Sequence, residues 1–110
     1  MNDLEASYLF NACAAINCNS LQGGVIVDGV PAAEAILKTS NLAPRLNVDS
    51  SAVCLAVLKD YRRFEEIYFK LEKGGIIILF GENRAFARWA MAESNIFVDV
   101  SEDASAVLNI

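Results

Sequence analysis

No histidine occurs among the 110 residues of this chain. That absence removes the commonest metal ligand and the usual general base. A metal centre, a cofactor and a catalytic residue are therefore not expected, and the chain reads as a non-enzyme. Positive charge is scarce as well: nine Lys and Arg face fourteen Asp and Glu, a formal charge of -5. The cationic field that holds nucleic acid or an anionic membrane is missing. Cysteines are few, and Cys13, Cys18 and Cys54 form an odd set at no metal-ligand spacing. Buried or incidental thiols in a reducing cytoplasm are the expectation, and no charged-then-apolar leader argues otherwise. The longest uninterrupted apolar runs, Ala52 to Leu58 and Gly74 to Phe80, fall far below the roughly 20 residues that cross a bilayer.

What is present is apolar. Hydrophobic residues make up 55% of the chain against 21% charged, too much for disorder and enough for one compact core, so residues 1–110 are expected to fold as a single domain.

From Asn2 to Ile16, the residues Ala6, Leu9, Phe10, Cys13 and Ile16 recur at three- and four-residue steps, which predicts an amphipathic helix capped by Asn2 or Asp3. Gly24-Val25-Ile26-Val27 reads as a strand, and Asp28-Gly29 is the dipeptide that favours a tight hairpin. The partner strand would start at Val30, against the objections of Pro31 and a helix-favouring Ala-Ala-Glu-Ala run. Thr39 to Asn47, with Pro44 inside it, has the composition of a surface connection. A second helix is expected from Asn47 or Asp49 through Arg62 or Arg63. Because Ala52 to Leu58 would be apolar on every side of such a helix, it needs a cover on both flanks. A sheet supplies one and an identical subunit the other, so dimerisation follows from that reading.

Glu66, Tyr68, Lys70 and Glu72 alternate with Ile67, Phe69 and Leu71, the period of a half-buried strand. Lys73-Gly74-Gly75 reads as a turn and Ile76 to Phe80 as the core strand. Arg84 to Ala92 fits two structures: a strand with Ala85, Ala87, Trp89 and Met91 on one side, or a helix capped by Asn83. Ile96 to Val100 is apolar and β-branched, and Ser101 could cap a short terminal helix. The charge cluster of Asp60, Arg62, Arg63, Glu65 and Glu66 reads as a solvated surface.

The order helix, Gly-Gly-Val-Ile-Val-Asp-Gly hairpin, helix, then Glu66 to Leu71, Gly75 to Phe80, Arg84 to Met91 and Glu93-Ser94-Asn95 resembles the Roadblock/dynein light chain family over nearly the whole chain. The closest matches are Val25 to Gly29 and Asn95. The resemblance implies a cytoplasmic, non-enzymatic dimeric scaffold that binds a Ras-like small GTPase or a larger assembly. It also implies an α+β fold with one mostly antiparallel five-stranded sheet and helices on its faces. Carried onto this chain, the dimer interface would use Ala52, Val53, Leu55, Ala56 and Lys59 of the second helix and Glu66, Tyr68 and Lys70 of the following strand. The alternative architecture is a small doubly wound parallel α/β domain. In it Ile76 to Phe80 and Ile96 to Val100 are parallel strands joined by a helix over Arg84 to Glu93, and an anionic small molecule binds near residues 81–88.

Overall fold

Asn2 begins the chain's first element as a capping box. Its side-chain Oδ1 accepts from the Glu5 amide at 2.8 Å, and the Glu5 carboxylate accepts from the Asn2 amide at 3.3 Å. A computed structural model describes residues 1–81 and 95–110, and in it helix α1 spans Asp3–Cys18, ending two residues beyond the expected Ile16 and burying Leu9, Ala12, Cys13 and Ile16. Strand β1 follows at Gly24–Asp28.

Asp28-Gly29 does not make a hairpin. Gly29 adopts a left-handed φ of 75°, and the chain enters helix α2, Pro31–Lys38, with Pro31 in its first turn. A fixed φ and a missing N–H suit proline to that place, and the Ala-rich run behind it favours the helix. A 3-10 turn at Ala43–Arg45 then leads to strand β2, Val53–Leu58, every residue of which is buried. The helix expected here is corrected to a strand. A run apolar at every position has no period with which to tell helix from strand, and the run's β-branched content and shortness favour the latter.

The strand expected at Glu66 to Leu71 is likewise corrected. Helix α3, Phe64–Tyr68, preceded by a 3-10 turn at Tyr61–Arg63, takes its first half, and of the rest only Leu71 belongs to a strand. Phe64, Ile67 and Leu71 are all buried, a spacing of three and four that is helical and overrides the alternation of the charged residues. Strand β3 runs Leu71–Phe80 and contains the Lys73-Gly74-Gly75 segment as an irregularity rather than a turn: Val53 pairs with Leu71, but Leu55 pairs with Ile76. Strands β4, Asn95–Ser101, and β5, Ala104–Asn109, close the chain as an antiparallel pair. The terminal helix expected after Ser101 is therefore a strand, drawn into the ladder beside β3. The open question of Arg84 to Ala92 lies outside the described residues.

The architecture is α+β, with three helices and a five-stranded sheet ordered β1-β2-β3-β5-β4. The sheet is mixed rather than mostly antiparallel: β1, β2 and β3 are parallel neighbours, and β5 runs antiparallel to both β3 and β4. The two strands that the doubly wound alternative makes parallel, Ile76 to Phe80 and Ile96 to Val100, run the same way, with β5 between them antiparallel to both.

Both faces of the sheet are covered by the chain itself. On one, Leu9 and Ile16 of α1 and Ala33 and Leu37 of α2 pack with Leu55, Val57, Ile78 and Ala106. On the other, Phe64 and Ile67 of α3 pack with Val53, Ala56, Leu58 and Ile77. The second cover that the apolar run demands thus comes from α3. Among the described residues, no helix is long and apolar enough to cross a membrane.

Candidate functional cleft

Three parallel strands end side by side at Asp28, Leu58 and Phe80. Beyond those ends lies a cavity of about 500 Å3, lined by Gly29, Val30, Pro31 and Ala32 after β1, Lys59 after β2, Phe80 and Gly81 of β3, Asn2 and Glu5 of α1, and Asp103 of the β4–β5 turn. In open α/β sheets the crevice outside the carboxyl ends of the strands is where ligands bind, and the size is that of a small-molecule site.

Local chemistry keeps the cleft open. Gly29 and Gly81 take left-handed φ values of 75° and 78°, conformations that turn the chain sharply away at the strand ends. A Cβ added at Gly81 would meet nothing within 4 Å. The strand ends are tied by backbone bonds, the Lys59 amide donating to the Asp28 carbonyl at 3.1 Å and the Gly81 amide to the Asp103 carbonyl at 2.7 Å, and by the ion pair of Arg63 with Asp28 at 3.1 Å.

The walls differ electrically. On one side α2 starts without a side-chain cap from Val30, and Glu34 makes the first turn-closing bond to the Val30 carbonyl at 3.2 Å. The amides of Ala32 and Ala33 therefore precede the first intrahelical donor, and Lys59 adds a cation nearby. On the other side stand the carboxylates of Glu5 and Asp103. Glu5 is only 7% exposed, and among the described residues it is the one charged side chain that is buried. Its Oε1 accepts from the Ser101 hydroxyl at 2.7 Å and from Asn2 Nδ2 at 3.2 Å.

The eight residues assigned to a dimer interface are not brought to one surface. Val53, Leu55 and Ala56 are enclosed in β2, and Ala52 precedes it with its carbonyl accepting from the Gly24 amide at 2.9 Å. Lys59 opens onto the cleft instead. Glu66 and Lys70 border a separate cavity of about 160 Å3 at the amino ends of β1 and β2, together with Asn47 and Arg63. Tyr68 stacks on Phe64 with ring centroids 5.9 Å apart, and its hydroxyl accepts from Asn95 Nδ2 at 2.8 Å. The charge cluster resolves into ion pairs: Arg62 with Asp60 at 2.7 Å and Arg63 with Asp28 at 3.1 Å. Hydrogen bonds from Arg62 hold the Asp60 carboxyl below its ordinary value.

Cys13 and Cys54 are buried and Cys18 is exposed, all as free thiols. Burial pushes the Cys13 and Cys54 thiols up, and for Cys54 the nearby Arg45 offsets this only in part.

Sequence reading missed most of the cleft. Of the anion site expected near residues 81–88, Gly81 lines the cleft and the rest lies outside the described residues. Glu5 and Gly29 each carried a visible signal, the Asn2–Glu5 spacing of a capping box and the Asp-Gly turn, but these read as a helix start and a chain reversal rather than a site, and Asp103 carried none. No protein-family model matches this chain, and a search of curated proteins finds no match.

Proposed function

We propose that this protein binds a small polar organic molecule in the cleft at the carboxyl ends of β1, β2 and β3. One observation carries the reading: a cavity of about 500 Å3 at the ends of three parallel strands, walled by an uncapped helix start and by a buried carboxylate. Such crevices are the usual ligand sites of parallel sheets because strand ends and helix starts converge there with unpaired backbone groups. The apolar side chains of Val30, Pro31 and Phe80 supply contact area beside the polar groups. The proposal is of binding, and no reaction is assigned to the cleft.

The test is a small-molecule screen read by amide chemical shifts, repeated on Ala32→Trp. Ala32 lines the cavity and is exposed at the first turn of α2, so the indole should fill the cleft without disturbing the core. Ligands of the cleft should shift the amides of Gly29, Lys59 and Gly81 and lose that effect in the variant. Hits that shift other regions, or that survive the substitution, would sink the reading.

A second reading, the dimeric scaffold for a protein partner such as a small GTPase, draws on a different observation. Phe69 stands 77% exposed just after α3, next to Lys70, and exposed aromatics of this kind anchor interfaces. Phe69→Ser should then abolish any concentration-dependent mass seen by sedimentation, and an unchanged mass distribution would remove the support.

A further inference from the structure

Glu5 carries a charge into a place where charge is rarely left alone. Side chains of this type are almost never fully buried unless paired, yet Glu5 is 7% exposed and has no ion-pair partner among the described residues. Its three hydrogen bonds all come from neutral donors: the Asn2 amide, Asn2 Nδ2 and the Ser101 hydroxyl. Two of these reach Oε1 and one, at 3.3 Å, reaches Oε2. A carboxylate offers about four lone-pair sites, so Oε2 retains acceptor capacity.

A capping box accounts for the identity of the residue at this position, since Glu or Gln three residues after the cap closes it equally well. It does not account for the burial of a full negative charge or for its position in the cleft wall. Capping glutamates ordinarily keep their charge in water. Here the carboxylate is held by Ser101, which comes from the far end of the chain, and it lines the same cavity as Phe80 and Pro31.

Resting on the cleft being a ligand site, we propose that its ligand is an organic amine whose ammonium group pairs with Glu5. An ammonium supplies the missing counter-charge and makes a charge-assisted hydrogen bond, the strongest kind such a carboxylate can accept. The second carboxylate of the lining, Asp103, adds attraction of the same sign, Lys59 on the opposite wall directs the ammonium away from itself toward the two carboxylates, and the chain's formal charge of -5 favours the approach of a cation. The apolar side chains of Phe80, Pro31 and Val30 would take the hydrocarbon part of the amine.

The probes are 2-phenylethylammonium and its neutral analogue 2-phenylethanol, titrated against the intact chain and followed by amide shifts of Glu5, Gly29, Gly81 and Ser101. The ammonium probe should bind about tenfold or more tightly than the alcohol, a difference of about 1.4 kcal/mol. In Glu5→Gln that preference should disappear. Glutamine keeps the capping box and an acceptor for Ser101, so the fold should survive, which unchanged shifts in β4 and β5 would verify. If both probes shift the cleft amides with equal affinity, the amine assignment fails while the cleft stands as a ligand site. If neither probe shifts them, the amine assignment fails, and the cleft reading stands or falls by the screen on the natural chain and Ala32→Trp. A preference that persists in Glu5→Gln overturns the role of Glu5.

Discussion

At the amino ends of β1, β2 and β3 the backbone is tied across by side chains, whereas at the carboxyl ends a cavity of about 500 Å3 lies between the same strands and α1. Arg45 Nη1 donates to the carbonyls of Leu21 and Gly23 at 2.8 and 2.9 Å, and Glu72 accepts from the Gly23 amide at 3.0 Å. Asn47 covers the outer edge of β1, its amide donating to the Val25 carbonyl at 2.6 Å and its Oδ1 accepting from the Val27 amide at 3.0 Å. At the carboxyl ends the Arg63–Asp28 ion pair, at 3.1 Å, ties β1 to the segment after β2, while Glu5 and Asp103 line the cavity. Polar groups used at one end for holding strands together are left at the other end facing a space, which is the difference between a structural and a ligand-binding polar cluster.

That contrast can be broken in order of expected size. Leu55→Glu should have the largest effect. It places a charge at the fully buried centre of β2, costing at least about 4 kcal/mol and unfolding the chain, as circular dichroism would report. A folded monomer would instead restore the interface helix. Gly23→Ala tests the tied end. An added Cβ would lie 2.7 Å from the Cys54 nitrogen and 2.8 Å from the Val53 carbonyl carbon, and urea denaturation should show a loss of about 3 kcal/mol. Arg45→Met should lower stability in the same measurement by about 2 kcal/mol, through two carbonyls that lose a charged donor. Gly81→Ala at the open end meets no neighbour, and only its left-handed φ of 78° opposes the change. The loss should be about 1 kcal/mol. Equal losses at Gly23 and Gly81 would erase the contrast.

The smallest effect is one of pH. The buried thiols of Cys13 and Cys54 hold their protons more tightly in the fold than in the unfolded chain. Their contribution is therefore fully present below the ordinary thiol value, about 8.5, and is lost as pH rises from there through the raised folded value. Denaturation midpoints at pH 7 and pH 10 should differ more in the natural chain than in the Cys13→Ala, Cys54→Ala double variant.

Much of the local structure was legible. The cap at Asn2, the apolar stripe from Leu9 to Ile16, and the strands at Val25 and at Ile76 to Phe80 follow from spacing and residue type. Pro31 and its alanines spoke for a helix, and the Asp-Gly pair outweighed them only because a hairpin needs two strands that were assumed to be adjacent. Val53 to Leu58 and Phe64 to Tyr68 exchanged their types for a common reason. The first has no period, and the second fits both periods, with Phe64, Ile67 and Leu71 on the helical spacing and the charged residues on the alternating one. Burial decided each, and burial depends on what packs from elsewhere in the chain.

The sequence by itself determined the apolar excess, the missing histidine chemistry, the acidic balance and the elements whose pattern is strong enough to stand alone. Only the tertiary structure decided that β2 runs parallel between β1 and β3 and that α3 covers it. It alone brought Glu5, Gly29, Lys59, Gly81 and Asp103 to one cavity. The physical reason is range. Caps and amphipathic stripes are set by neighbours within one or two turns. Strand order and a cleft at strand ends are set by contacts between residues tens of positions apart, such as the hydrogen bond from Ser101 to Glu5, for which no local spacing leaves a mark.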